Sequence, residues 1–435
     1  MAPSTQGGRR CAVISVLLRA WVVVCLIFAA PPLAAQIGPI DSALQFNTSE
    51  QYQSNPARLP DSDDRRRGAF VFSKSVGLGL RVPLLSDETR LDLVGNLADV
   101  RYSNNHQLNH QPRNLRAVLN WRATPLFVGR INFGQDKQFN RYSSRTFPDR
   151  DMLTRQNVQA EVGMRVTERL TLPVISVFRA DNRYDQAINK TLYNRDETGW
   201  QVAGQYQGYG RSFAQAGFRH TGIEFPRRGS ELAATIDDAY DDNEVFISTK
   251  WDYSPKTLFD VRLGYLRRQY RQLSDRDTGL MTAEVRALWD YSPKTQFDFR
   301  VWQRPYANDD DPRILYSKQT GAMVGAIWRP TVKTTIGAGV EGNLQQNTVA
   351  AGFSQPDQKI WRYGVRAQWQ AQDNLRFVFD VYRDRQSGTT SIDSYTQSYA
   401  RIGVEYTFGK RLNDRMTEML RPSDCEYRRP EYGFC

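Results

Sequence analysis

The sequence predicts an all-β chain: a transmembrane, antiparallel, up-and-down β-barrel of about 18 strands, with short periplasmic turns and long extracellular loops. Three observations lead there. First, Trp251-Asp-Tyr-Ser-Pro-Lys-Thr257 recurs 38 residues later as Trp289-Asp-Tyr-Ser-Pro-Lys-Thr295. Looser copies follow at Trp328-Arg-Pro-Thr-Val-Lys-Thr334 and Trp369-Gln-Ala-Gln-Asp-Asn374. A recurring tight turn between stretches that alternate apolar and polar marks repeated hairpins. Second, the connections alternate between a few residues rich in Pro, Ser, Thr and Gly and long polar segments, which is how barrels of the outer membrane sort their turns and loops. Third, only 40% of the 435 residues are hydrophobic while 12% are aromatic. That balance suits strands in which every second residue faces lipid. A soluble protein of this length would need apolar helices or buried strands, and none stands out beyond residue 35.

The elements follow in order. Arg9 and Arg10, an apolar run from Val13 to Ala30 and the small residues Ala34 and Ala35 read as a secretory signal over 1–35, cleaved near Ala35. The barrel is expected over 36–410 and a periplasmic tail over 411–435. The first strand lies near Ser42–Tyr52; it is weakly patterned, which makes 16 the alternative count. Phe70–Val82 and Thr89–Tyr102 come next, then Leu115–Arg122 and Leu126–Phe139 around Ala123-Thr-Pro125. Val158–Val166 and Leu170–Arg183 flank Thr167-Glu-Arg169, and Trp200–Gln207 and Ser212–Phe225 flank Gly208-Tyr-Gly210. The two Trp-Asp-Tyr-Ser-Pro hairpins follow. Met323–Trp328 then pairs with Thr334–Leu344 and Trp361–Gln370 with Leu375–Tyr382, and Tyr399–Phe408 closes the series. Long loops are expected at 53–68, 140–157, 226–243 and 387–397. An even strand count leaves both ends on the short-turn side.

Alternation sorts the faces. Phe259, Val261, Leu263 and Tyr265 oppose Asp260 and Arg262; Trp361, Tyr363, Val365 and Trp369 oppose Arg362 and Arg366. Arg or Lys facing lipid at mid-depth costs about 2–4 kcal/mol, so the charged face lines the lumen. The predicted lumen set is Arg90, Asp92, Arg130, Glu161, Arg165, Asp260, Arg262, Glu284, Arg286, Asp298, Arg300, Arg362, Arg366, Arg376, Arg401 and Glu405. Arg exceeds the acids in it, which favours anions or hydroxyl-rich solutes. The plainer reading is that these charges pair across strands and stiffen the bore. Arg262, Arg300 and Arg366 are expected to point into water, where charge reversal costs the fold little. Trp121, Trp251, Tyr253, Trp289, Tyr291, Trp328 and Trp369 recur beside the short turns. They suit an aromatic girdle at the periplasmic interface; a sugar-binding platform is the sharper alternative.

The formal net charge is +11, and of 58 basic residues only ten are Lys. The planar Arg fork suits carboxylate and phosphate, although a GC-rich genome gives the same bias. The 47 acidic residues are interleaved with the basic ones, which argues against nucleic acid. Acidic runs at Asp61–Arg67, Asp237–Asp242 and Asn308–Asp311 read as solvated loop surface, or as sites bridging to lipopolysaccharide through divalent ions. His106, His110 and His220 form no triad or metal cluster, so no enzyme, cofactor or metal is expected. Gly337-Ala-Gly-Val-Glu-Gly342 matches a dinucleotide-binding fingerprint but lies within a strand. Cys11 and Cys25 fall in the signal. Cys425 and Cys435 are expected to form a disulfide after secretion.

The Trp-x-x-Ser-Pro-Lys-Thr turns, strands such as Phe377-Val-Phe-Asp-Val-Tyr-Arg383 and the closing Gly403-Val-Glu-Tyr-Thr-Phe408 resemble the outer-membrane β-barrel proteins of exopolysaccharide biosynthesis operons. The resemblance spans about Ser42 to Phe408. It implies a path for an exopolysaccharide chain through the outer membrane. It also implies partners in periplasmic polysaccharide-export and inner-membrane polymerisation or synthase machinery, besides outer-membrane lipid and lipopolysaccharide. A diffusion porin for small anionic or sugar solutes is the alternative. The tail from Arg411 departs from barrels that end on an aromatic strand residue.

Overall fold

A computed structural model describes residues 40–86, 89–140, 150–210, 212–306, 314–349, 357–388 and 394–409. The segment expected as a signal over 1–35, the 411–435 tail with Cys425 and Cys435, and the acidic run at 308–311 lie outside the described residues.

Eighteen strands run in chain order. The first nine are β1 (Asp41–Gln53), β2 (Ala69–Ser86), β3 (Thr89–Tyr102), β4 (Arg113–Arg122), β5 (Phe127–Phe139), β6 (Met152–Arg165), β7 (Leu170–Tyr184), β8 (Arg195–Gln207) and β9 (Phe213–Glu224). The rest are β10 (Ala239–Ser254), β11 (Thr257–Tyr270), β12 (Thr278–Ser292), β13 (Thr295–Tyr306), β14 (Ile314–Thr331), β15 (Thr334–Val349), β16 (Gln358–Gln372), β17 (Leu375–Ser387) and β18 (Tyr395–Gly409). Each pairs antiparallel with its sequence neighbours, and β1 pairs with both β2 and β18, so the sheet closes. Closure leaves no edge strand and satisfies the backbone internally, as a spanning sheet requires. At the seam Ala43 opposes Gly409 and Leu44 opposes Phe408, which puts both strand ends beside the short turns.

The repeated phrase builds the short turns. Ser254 pairs with Thr257 and Ser292 with Thr295, leaving Pro-Lys at the two central positions. Proline presets φ for the first of these. The serine hydroxyl accepts the lysine N–H, at 3.3 Å in both copies. Thr331 does the same for Lys333 in the looser copy, at 3.2 Å. A register shift beside each turn leaves Tyr253 and Tyr291 outside the ladder. Trp251 and Tyr253 meet edge-on at 5.2 Å, and Trp289 and Tyr291 at 5.3 Å.

Several strands overrun their sequence-based limits. β14 begins at Ile314 rather than Met323, β6 at Met152 rather than Val158, and β10 at Ala239. The outer ends of these strands are polar on both faces (Lys318, Gln319 and Thr320, for example), so alternation vanishes while the hydrogen-bond ladder continues. Two outer connections expected as plain loop carry short helices, α1 (Ala187–Tyr193) and α2 (Ser230–Ile236).

Side chains divide as the alternation requires. Phe72, Leu97, Ile131, Val177, Val245, Tyr265, Phe299, Val324, Val365 and Phe379 are exposed on the exterior. So continuous an apolar surface is foreign to water and suits hydrocarbon. The interior is polar, with inward aromatic groups where Trp302, Met323, Tyr382 and Tyr399 cluster.

Candidate functional site

The inner wall is the site, and its register assembles the charges. Glu341 on β15 stands opposite Arg362 on β16, and Arg362 opposite Asp384 on β17. Asp380 on β17 lies between Arg366 on β16 and Arg401 on β18, and Arg376 opposes Glu405. Direct cross-strand neighbours lie about 5 Å apart at Cβ, so opposite charges in register become ion pairs. Arg362 is 2.9 Å from Glu341 and 3.7 Å from Asp384. Arg366 is 3.3 Å from Asp380, which Arg401 also contacts, and Arg376 is 2.9 Å from Glu405. Two strands further, beyond β14, Asp298 on β13 accepts two hydrogen bonds from Arg286, at 3.0 and 2.8 Å, and is flanked by Arg300 at 3.0 Å.

The carboxylates of this arc, with Arg362 and Arg366, are shielded from solvent, while Arg286, Arg300, Arg376 and Arg401 cover them with partly exposed side chains. Asp298, Asp380 and Asp384 are 0% exposed, Arg362 1%, and Arg366 and Glu341 2%. The sequence placed Arg366 in water and Arg362 on the wall of a wet lumen, and that expectation is corrected: both belong to a dry ion-pair ladder. Alternation told which way they point but carried no information on what packs over them.

The facing arc is more open. Arg90, Arg130, Arg165, Asp260, Arg262, Glu284 and Arg286 sit on the inward register with partly or well-exposed side chains. Arg90 and Arg81 flank Asp92 at 3.5 and 2.8 Å. Arg130 opposes Glu161 across β5 and β6. Arg262 pairs with Glu244 at 2.7 Å and lies over the Phe246 ring. The same register adds inward cations absent from the sequence-based set: Arg116, Arg155, Arg219, Arg268 and Arg304. Arg116 and Arg219 lie inside strands already delimited from the sequence, and continuing the alternation to the polar outer strand ends would have added Arg155, Arg268 and Arg304. Arg219 lies over Phe178, which points inward although apolar residues were assigned outward.

Folded loops narrow the outer mouth. Arg58 turns back to Asp384 and Gln397. On the other side Asp237, 1% exposed, accepts the N–H groups of Asp238 and Ala239 on one oxygen and of Gln272 and Leu273 on the other. Burial pushes its pKa up, but these four bonds outweigh that and hold the carboxyl below its ordinary value. Arg228 donates to the carbonyls of Leu192, Ile236 and Asp237 and covers the Phe225 ring. Asp242 pairs with Arg268 at 2.8 Å. This acidic run therefore includes structural carboxylates and is not simply solvated surface.

The girdle residues Trp251, Tyr253, Trp289, Tyr291, Trp328 and Trp369 are exposed on the exterior beside the turns. Trp121 lies across Gly129 of β5, where a Cβ would stand 2.2 Å from the indole. His110 is buried against Phe139, His106 lies in the outer loop after β3, and His220 lies near Asn243 and Asp241. Among the described residues no group of three or more His, Cys, Asp or Glu side chains is arranged to hold a metal.

No family model matches the chain, and no curated protein does. Among solved structures it is similar to OccK2 (OpdF) of Pseudomonas aeruginosa in complex with glucuronate: 10% identity, TM-score 0.49, covering 86% of this chain and 98% of that one. The outer membrane protein opdK of Pseudomonas aeruginosa gives 10% identity and TM-score 0.47 over 85% and 99%. The siderophore receptor PirA of Pseudomonas aeruginosa gives 9% identity and TM-score 0.43 over 85% and 81%.

Proposed function

We propose that this chain is an integral outer-membrane channel without enzymatic activity, passing small anionic or sugar solutes along the cationic inner arc. The observation that carries the reading is the asymmetry of the wall. A barrel of 16–18 strands is wide enough for an aqueous channel. Carboxylates at 0% exposure on β13 and β17 are sealed beneath their arginine partners, so that arc presents no free negative charge and the more open facing arc offers the less neutralised wall. There Arg90, Arg130 and Arg155 present charge to solvent. A positive constriction raises the local concentration of anions. The apolar exterior and its aromatic belt support the membrane location.

The test is single-channel recording of the full chain in planar bilayers under a salt gradient. The wild type is expected to prefer anions, and Arg90→Glu/Arg130→Glu/Arg155→Glu to lose or invert that preference. A barrel that inserts without conducting, or whose selectivity ignores the triple change, defeats the reading.

Polysaccharide export is the second reading, favoured by the repeated turn motif and closing strand that resemble the exopolysaccharide-operon barrels. It predicts that deleting the gene reduces extracellular polysaccharide without blocking growth. Normal polysaccharide in the deletion strain would leave the solute channel alone.

A further inference from the structure

The exterior of β2–β5 departs from the smooth apolar band. β4 is ten residues long between strands of 14 and 13, and its outer end stops at Arg113, opposite Leu97 and Lys137. Past Arg113 the chain stays bonded to β3 through Pro112 and His110 but not to β5, so the wall is notched on the β5 side. Above the notch lies a groove of about 1310 Å³ with five cations at its rim: Lys74, Arg101, Arg113, Lys137 and Arg150. Two carboxylates join them. Asp99 pairs with Arg101 at 2.9 Å and Asp185 with Lys137 at 3.1 Å. Lys74 stands opposite Asp99 in the ladder, yet that carboxylate is turned to Arg101. Arg150 donates to the Asn109 carbonyl at 3.3 Å, and among the described residues no carboxylate pairs with Lys74, Arg113 or Arg150.

A second hollow of about 460 Å³ continues below, sharing Val76, Leu97 and Arg113 with the first. Leu78 and Leu115 line it, and Gly95 leaves its floor bare, since a Cβ there would meet nothing nearer than Leu115 at 3.8 Å. The order along the wall is therefore cationic at the long-loop end and apolar towards mid-depth. Lys74 and Leu78 are four residues apart on one strand, a drop of about 13 Å at the usual strand rise.

We propose that this double groove binds one phosphorylated glycolipid of the outer leaflet, of the lipid A class, with its phosphates on Lys74, Arg113 and Arg150 and an acyl chain over Val76, Leu78, Leu97 and Leu115. The inference rests on the outer-membrane placement proposed above. Arg forks match phosphate oxygens, and an ammonium adds a point charge. Acyl chains enter only where the wall is apolar and recessed. A protein partner or second copy of the barrel would leave the unpaired cations without phosphates.

Full-length protein, extracted from cells, is titrated with bisphosphorylated lipid A and with the same lipid stripped of phosphate, and bound lipid is counted by native mass spectrometry. Lys74→Gln/Arg113→Gln is expected to lower lipid A retention roughly tenfold or more, and the phosphate-free lipid to bind equally weakly to both proteins. Lys359→Gln, outward on β16 away from the groove, is expected to bind as the wild type does. Equal retention by the groove variant and the wild type overturns the proposal. So does an equal loss in Lys359→Gln, which means a diffuse charged rim, or a lipid-free dimer abolished by the groove variant. Membrane fractionation of the wild type separates these outcomes from failure of the placement. A barrel absent from the outer membrane sinks the placement; one present there with phosphate-blind binding sinks only the glycolipid site.

Discussion

Arg58 of the first outer loop places its guanidinium 3.2 Å from the carboxylate of Asp384 on β17, although 326 residues separate them. Both side chains are buried, the Tyr395 hydroxyl donates to the same carboxylate at 3.1 Å, and Arg58 lies over the Tyr395 ring. Its backbone is left-handed, with φ of 50°. A non-glycine residue held there needs its side chain fixed by surrounding structure. The loop is thereby held against the inner wall.

Arg58→Ala is expected to release that loop. Single-channel conductance should rise, and the barrel should lose stability by about 1.5–3 kcal/mol, the scale of a hydrogen bond to a charged group. Recording conductance alongside a urea-unfolding midpoint checks both. Unchanged conductance with lowered stability would show that the loop does not limit flow.

Arg366→Glu and Arg262→Glu should behave differently although the sequence presents them alike. Arg366 is buried against Asp380, so reversal confronts two carboxylates in a dry wall and should cost about 3–5 kcal/mol. Arg262 is partly solvated beside Glu244, so reversal there should cost less than at Arg366. The amount of heat-modifiable barrel in the outer membrane distinguishes them. Equal yields would contradict the buried ladder.

Low pH should loosen the outer cap before the barrel. The Asp237 carboxyl has a folded pKa below its ordinary value. Its contribution is complete above about pH 4, the unfolded value, and is lost as pH falls through the lower folded value. Hydrogen exchange at Gln272 and Leu273 should accelerate in that acid range while strand amides stay protected. Asp237→Ala should show the same fast exchange at neutral pH.

Gly129→Val should cost about 1–3 kcal/mol, because the new side chain meets the Trp121 ring. Trp289 and Phe297, whose rings are 5.6 Å apart, should couple by about 0.5–1.5 kcal/mol in a double-mutant cycle. Additive losses would mean that the rings act on lipid independently.

Much of this was legible in the residues. The turns at Pro255-Lys256 and Pro293-Lys294, the closed count of 18 and the outward tryptophans follow from local rules of proline geometry and alternation. The dryness of Arg362 and Arg366 did not follow, because burial inside a barrel depends on what crosses the bore, and that has no period in the sequence. Nor did the role of Asp237. Its run looks like any solvated acidic loop until Gln272 and Leu273 supply two N–H groups to its second oxygen.

The seam between β1 and β18 bears on how the molecule comes into being. Gln53 and Gln397 are bonded across 344 residues, and Phe46 meets Phe408 at 5.9 Å. The first strand to leave the ribosome therefore waits for the last before its second edge is filled. Until then the chain carries two unpaired edges and a half-exposed apolar band, the state in which sheets join the wrong neighbour. Contacts of this span form slowly. Assembly thus has a long vulnerable interval, and a chain truncated before Tyr395 would keep its short-turn hairpins and lack the strand that makes them a ring.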